Sequence, residues 1–169
     1  MTYSALTPLE QALQSQRLAH SSQPYPSAAS RRADLLNLKA LVHDNAEAIA
    51  QAISADYGHR SRHETMLAEI VPVIKGVDHA LKHLKQWMAP QKRGTDWQNF
   101  FGSRNRVVPQ PLGVVGIIVP WNFPINLSFM VLIDAFAAGN RAMVKMSENS
   151  RHLAKLLIDK MPLYFAPDK

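Results

Sequence analysis

With 169 residues, 47% of them hydrophobic and 19% charged, the chain has enough apolar material for one globular domain of ordinary size. It contains no cysteine, which excludes disulfides, thiolate metal sites and thiol nucleophiles within these residues. The net charge of +6 suits acidic partners in a general way. The basic residues fall in scattered pairs (Arg31 with Arg32, Arg60 with Arg62, Lys92 with Arg93, Arg104 with Arg106) without interleaved aromatics, so solvated faces are expected and nucleic acid is not.

Residues 1–20 are polar and interrupted by charge, with no apolar core of a leader, and nowhere do 18 apolar residues run together. No membrane partner and a soluble, cytoplasmic protein are expected. The composition changes at about residue 100, which predicts a helical region over 1–101 and an α/β region over 102–169. In the first, Leu35, Leu38, Leu41 and Val42, then Ile49 and Ile53, recur at helical spacing, with Asp44 and Glu47 placed to start the second of two helices. "SRHE" at residues 61–64 has the form of a capping box, a serine accepting from the third backbone N–H while the glutamate reaches back. The helix it opens carries one apolar stripe of Leu67, Ile70, Ile74, Val77, Leu81, Leu84 and Met88. Pro72 should kink it, since an interior proline removes a backbone bond and clashes with the preceding turn. His79 and His83 lie four apart on this helix beside Asp78, but they alternate with Lys82 and Lys85 away from the stripe, so a solvated face and no metal are expected.

Beyond residue 100, "RNRVVPQPLG" reads as an extended segment that Pro109 and Pro111 confine to an edge or a bend. "GVVGIIV" at residues 113–119 is a nearly unbroken β-branched run, the form of a parallel strand buried on both faces. Residues 125–138 are mostly apolar and stop at Gly139, a helix with a left-handed end. "NRAMVK" at 140–145 is a second strand, and "SENS" supplies cap residues for a helix holding Leu153, Leu156 and Leu157. Strand, helix, strand, helix in some fifty residues is a βαβα unit with parallel strands, and ligands bind beyond the carboxyl ends of such strands.

Two motifs stand at those ends and should be neighbours. In "PWNFP", at 120–124, Pro120 has no donor and a fixed φ, and Pro124 suits the first residue of a helix, so Trp121, Asn122 and Phe123 sit on a stiff turn. A pre-aimed asparagine amide is an uncharged donor suited to a developing alkoxide. In "KMSE", at 145–148, Lys145 and Glu148 offer a cation and a bidentate acceptor suited to a sugar diol. Each motif by itself also has a bland reading, with Trp121 and Phe123 as core, Asn122 as a turn former, and Lys145 with Glu148 as a surface pair. No Gly-x-Gly-x-x-Gly accompanies them.

The stretch "QPLGVVGIIVPWNFPINLSFMVLIDAFAAGNRAMVKMSENS" resembles the opening of the cofactor domain in the aldehyde dehydrogenase superfamily, and "ISADYGHRSRHETMLAEI" resembles the preceding helical region of its coniferyl aldehyde dehydrogenase branch. The resemblance implies an α/β fold in which N-terminal helices precede the first βαβα unit of an incomplete aldehyde-dehydrogenase-type Rossmann domain, one that binds NAD or NADP without the glycine fingerprint. It implies Asn122 as the oxyanion-hole asparagine and Phe123 at the aldehyde entrance. Ile118, Val119, Pro120 and Trp121 would run along the cofactor, and Lys145 and Glu148 would meet the adenosine ribose, where the glutamate favours NAD. Met146 stands where the family usually has proline, which loosens the turn carrying Lys145.

The family's reaction is attack of a cysteine thiolate on the aldehyde, hydride transfer to nicotinamide and hydrolysis of the thioester by glutamate-activated water. Those residues are not in this chain. The expectation is therefore an N-terminal portion of an NAD(P)-dependent aldehyde dehydrogenase, inactive alone, whose complete form acts on an aldehyde such as coniferyl aldehyde. The alternative is a non-catalytic protein that pairs with a complete homologue. Two strands leave an open edge, so a homo-oligomer or association through that edge is expected.

Overall fold

The structure is a computed structural model and describes residues 6–169. Its first helix, α1 (Pro8–Ser22), starts from a complete capping box: Glu10 N donates to Thr7 Oγ1 at 3.3 Å, and Thr7 N donates to Glu10 Oε2 at 2.8 Å. The sequence reading left these residues as a polar terminus, although Thr-Pro-x-Glu is a start signal. The helix packs along the strand pair described below, and buried Gln16 donates to the Ala142 carbonyl at 3.0 Å.

Helices α2 (Ala28–Asp44) and α3 (Ala46–Tyr57) bury Leu35, Leu38, Leu41, Val42, Ile49 and Ile53 completely, as the spacing predicts. The break between them falls at Asn45, whose Nδ2 turns back to the Leu41 carbonyl at 2.8 Å. Asp44 thus ends α2, while Glu47 lies in the first turn of α3.

The long third helix departs from expectation. Ser61 does precede it, but no capping box forms, because Glu64 Oε1 is taken by Arg60 Nη2 at 3.2 Å. After α4 (Arg62–Thr65) comes a single π-helical turn, Met66–Ile70, and only then α5 (Val71–Met88) with Pro72 in its first turn. A π turn holds one extra residue, which turns everything before it by about 100° relative to an unbroken α-helix. That rotation removes Leu67 from the apolar stripe, leaving it 72% exposed, and carries Thr65 and Glu69 into the core at 0%. Val73, Val77, Ala80 and Leu84 keep the buried phase. On the outer side of α5, the His79 and His83 rings lie 4.4 Å apart and tilted, and Trp87 stacks on His83 at 5.9 Å.

The proline-rich segment is a hairpin edge: β1 (Gln91–Arg93) pairs antiparallel with β2 (Asn105–Val107), all six residues exposed. The polar β1 gave no strand signal of its own. Strands β3 (Val114–Ile118) and β4 (Arg141–Lys145) are parallel and in register from Val114 with Arg141 to Ile118 with Lys145. Burial on both faces is not what β3 has. Gly116 and Ile118 are exposed, Val114 and Val115 half-buried and Ile117 buried, and the helices that touch the strand are α6 (Asn126–Ala137) and α1. Helix α6 stops at Gly139, at φ 86°, where a Cβ would meet the Arg31 guanidinium that bonds the Ala137 carbonyl at 3.0 Å. Helix α7 (Arg151–Lys160) has no side-chain cap from Ser150. Its cap comes from α3 instead: the Asp56 carboxylate accepts from His152 N at 2.8 Å and from Leu153 N at 3.1 Å. One apolar core runs from Leu35 in α2 through Val77 in α5 and Phe129 in α6 to Leu153 in α7, so helices and strand pair are packed as one body.

Candidate functional site

The parallel register sets Ile118 directly beside Lys145, so the chain leaves both strands at the same end of the sheet. Alternation along β3 turns Ile118 outward, 84% exposed, and the next residue, Val119, inward at 3%. Val119 N donates to the Lys145 carbonyl at 3.0 Å, which extends the pairing one step, and only its main chain faces the crevice. Pro120 and Asn122 are exposed, Trp121 is 53% exposed, and Phe123 is half-buried. The Asn122 carboxamide makes no hydrogen bond to another described residue. Pro124 begins the next helical turn, as expected of it, since Leu127 N already bonds the Phe123 carbonyl at 2.9 Å.

Across the crevice Lys145 and Glu148 form an ion pair in the open. The hydrogen bond from Lys145 is the main reason the Glu148 carboxyl lies below its ordinary range, so that carboxylate is charged near neutrality. Trp121, Glu148, Asn149, Arg151 and Tyr57 line a common cleft of about 470 Å³, which is how the two motifs come to be neighbours. Met146 is half-buried against the core. Among the described residues no three His, Cys, Asp or Glu side chains gather as metal ligands, and no helix is long and apolar enough to cross a membrane.

Three residues that the sequence reading passed over hold the turn from behind. The Tyr57 hydroxyl lies 2.8 Å from the Trp121 carbonyl and 2.6 Å from that of Asn122, and burial, the largest influence on it, pushes its pKa up and keeps it a donor. Arg60 Nη1 donates to the Asn122 carbonyl at 2.6 Å, and the guanidinium sits 4.6 Å from the Phe123 ring centre. Glu69 Oε2 accepts from Ile125 N at 2.7 Å and Asn126 N at 3.3 Å. The sequence signal for Glu69 is a carboxylate four residues before Val73, on the face that α5 buries, and spacing alone does not show which distant amides it would accept from.

A parallel strand pair with free polar groups gathered at its carboxyl ends is the start of a dinucleotide-type α/β domain. Residues 5–162 match the aldehyde dehydrogenase family, and the chain belongs to that family. It is 44% identical over 161 residues to a probable coniferyl aldehyde dehydrogenase of Pseudomonas aeruginosa, covering 95% of this chain and 34% of that protein. It is 36% identical to aldehyde dehydrogenase family 3 member B1 of Rattus norvegicus, over 92% of this chain and 33% of that one. Among solved structures, Staphylococcus aureus AldH in a substrate-bound state superposes with a TM-score of 0.90 at 26% identity, over 96% of this chain and 35% of the other. The chain spans about a third of the length of the curated relatives it matches.

Proposed function

We propose that these residues form the N-terminal part of an NAD(P)-dependent aldehyde-oxidising site, in which Asn122 donates to the developing oxyanion and Phe123 borders the aldehyde entrance. The observation that supports this most is the Asn122 carboxamide, free on a proline-bracketed turn beyond β3 and tied down only through its main chain. The similarity to coniferyl aldehyde dehydrogenases makes an aromatic aldehyde of that kind the proposed substrate. With no cysteine of its own the chain oxidises no aldehyde by itself; the thiol belongs to residues beyond it in the complete enzyme. In a protein that includes them, Asn122→Ala should lower kcat by ~10²–10³ with little change in KM. An unchanged kcat refutes the assignment.

The residues at the crevice suit a nicotinamide dinucleotide in the chemistry of their donors: Lys145 and Glu148 would hold the adenosine ribose hydroxyls, and Ile118, Val119, Pro120 and Trp121 would flank it. The bound dinucleotide would accept the hydride. A charged Glu148 repels a 2′-phosphate, so NAD is favoured over NADP. Glu148→Gln should shift the ratio of the two affinities toward NADP, as titration of each cofactor would measure; a fixed ratio would remove Glu148 from the cofactor site.

A cytoplasmic location and self-association complete the proposal. Leu132, Phe136, Val144, Ile158 and Phe165 line the apolar part of a trough of about 960 Å³ beside β4 that Lys145 and Glu148 also border, and a second copy of the chain is the proposed occupant of that apolar part, apart from the cofactor at its polar end. Light scattering on purified chain should give a dimer or larger; a monomer at high concentration contradicts it.

A further inference from the structure

The π turn, Pro72 and Arg60 stand together for a reason that packing alone does not supply. A proline has no N–H, so Pro72 cannot bond the Ala68 carbonyl four residues earlier, and that carbonyl instead accepts from Asn126 Nδ2 at 2.7 Å. The π turn just before it swings Glu69 to the same side, where one carboxylate oxygen takes the Ile125 and Asn126 amides. From the other flank, Arg60 and Tyr57 take the carbonyls of Trp121 and Asn122. Arg60 and Glu69 are themselves paired, Nη1 to Oε1 at 3.3 Å, with side chains 4% and 0% exposed. Residues 121–126 are thus held by their carbonyls on one side and their amides on the other, from the end of α3 and its connection to α4 (Tyr57, Arg60) and from the π turn (Glu69).

We propose that Arg60 and Glu69 are positioning residues for Asn122: they act as a clamp that fixes the main chain on both sides of it and so aims a carboxamide they do not touch. A buried ion pair is costly unless its remaining valences are filled, and here the turn's backbone groups fill those of Arg60 Nη1 and Glu69 Oε2, while Arg60 Nε and Glu69 Oε1 have no hydrogen-bond partner. Hydrophobic residues of the same size would pack the site as well but would leave the Asn122 carbonyl and the Ile125 amide without partners. Phe123 is held by the same guanidinium, so the clamp reaches the flanking aromatic as well.

The inference rests on the reading of Asn122 as the oxyanion donor, and its two parts can be measured apart. In the chain itself, amide exchange followed by NMR reads the clamp without any reaction. Glu69→Ala should lower protection at Ile125 and Asn126 by about tenfold or more while Ile49 and Ile53 keep theirs, and Glu69→Gln, which still accepts through its amide oxygen, should stay within about threefold of wild type. Unchanged protection at the turn, or equal loss at Ile49 and Ile53, overturns the clamp. In the protein that includes the catalytic cysteine, Arg60→Met should lower kcat by about tenfold or more with KM nearly constant, and should add little to Asn122→Ala. Full additivity of the two overturns the positioning role. An Asn122→Ala variant that keeps its kcat while exchange at the turn behaves as expected overturns the oxyanion reading, and with it the claim that the clamp serves catalysis.

Discussion

In the helical region Leu35, Leu38, Leu41, Val42, Ile49, Ile53 and Val77 are all fully buried, whereas beside the strand pair Ile118 is 84% exposed, and Ile158 and Leu163 are each 73% exposed. The apolar patterns of the two regions are equally strong in the sequence. They differ in what faces them. The stripes of α2, α3 and α5 are turned toward one another and toward α6, so their buried residues meet one another in a single core. Along the β-branched run of β3, Ile117 and Val119 are buried and Val114 and Val115 half-buried, but Ile118, on the opposite face from Ile117, meets no covering surface among the described residues. A hydrophobic pattern states which side chains suit burial; a partner surface decides whether they are buried.

The largest expected effect tests whether the two regions are one cooperative body. Phe129 is fully buried in α6, between the helices and the strands, and Phe129→Ala should cost about 3–5 kcal/mol. Denaturant unfolding should remain a single transition; two transitions would separate the regions. Next is the cap that joins them. Asp56→Ala leaves the His152 and Leu153 amides of α7 without their acceptor and should cost about 1–2 kcal/mol, with hydrogen exchange rising first in α7. If exchange rises equally in α2, the cap is not local.

An acid-side test sharpens the contrast further, because the buried charge that joins the regions titrates. Burial, the largest influence, raises the Glu69 pKa above 4.5 against the opposing pull of the Ile125 amide and Arg60; Glu64, also negative, adds to the rise. A raised pKa in the folded chain means that folding favours the protonated form. The stability margin of wild type over Glu69→Gln should therefore be greatest below 4.5 and shrink as pH rises through the folded pKa. Thermal melts of both proteins across that range measure it, and a margin that grows with pH contradicts the sign. Smaller still, Thr7→Ala should cost ~1 kcal/mol, since its capping box is formed, and Ser61→Ala only a few tenths, since its box is not. At the low end, Ile118→Ala should lie within about 0.5 kcal/mol of wild type, because an exposed side chain has little burial to lose. A large loss there would mean that the exposed face is covered in solution.

Much of the site was legible before the fold. Two prolines around Asn122, and Lys145 three residues before Glu148, follow strand-like runs, and parallel strands bring such ends together without further information. The clamp was not legible. Tyr57, Arg60 and Glu69 are 65, 62 and 56 residues from the groups they hold, and nothing in local spacing joins them. The two capping boxes make the same point at short range. Thr7 with Glu10 and Ser61 with Glu64 share one pattern, but Glu64 has Arg60 within reach and Glu10 has no such competitor among the described residues.

The sequence by itself determined the order of the elements from α2 onward, β1 excepted, the parallel pairing of β3 and β4, and the place where the crevice opens, because periodicity, prolines and glycines act on the backbone within a few residues. Tertiary structure alone decided that a π turn stands between α4 and α5, that α7 is capped from α3, and that Gly116 and Ile118 of β3 stay exposed. Those outcomes depend on which distant donor, acceptor or apolar surface fills each vacancy, and a buried polar group takes the partner that the fold brings near it, however far away that partner lies along the chain.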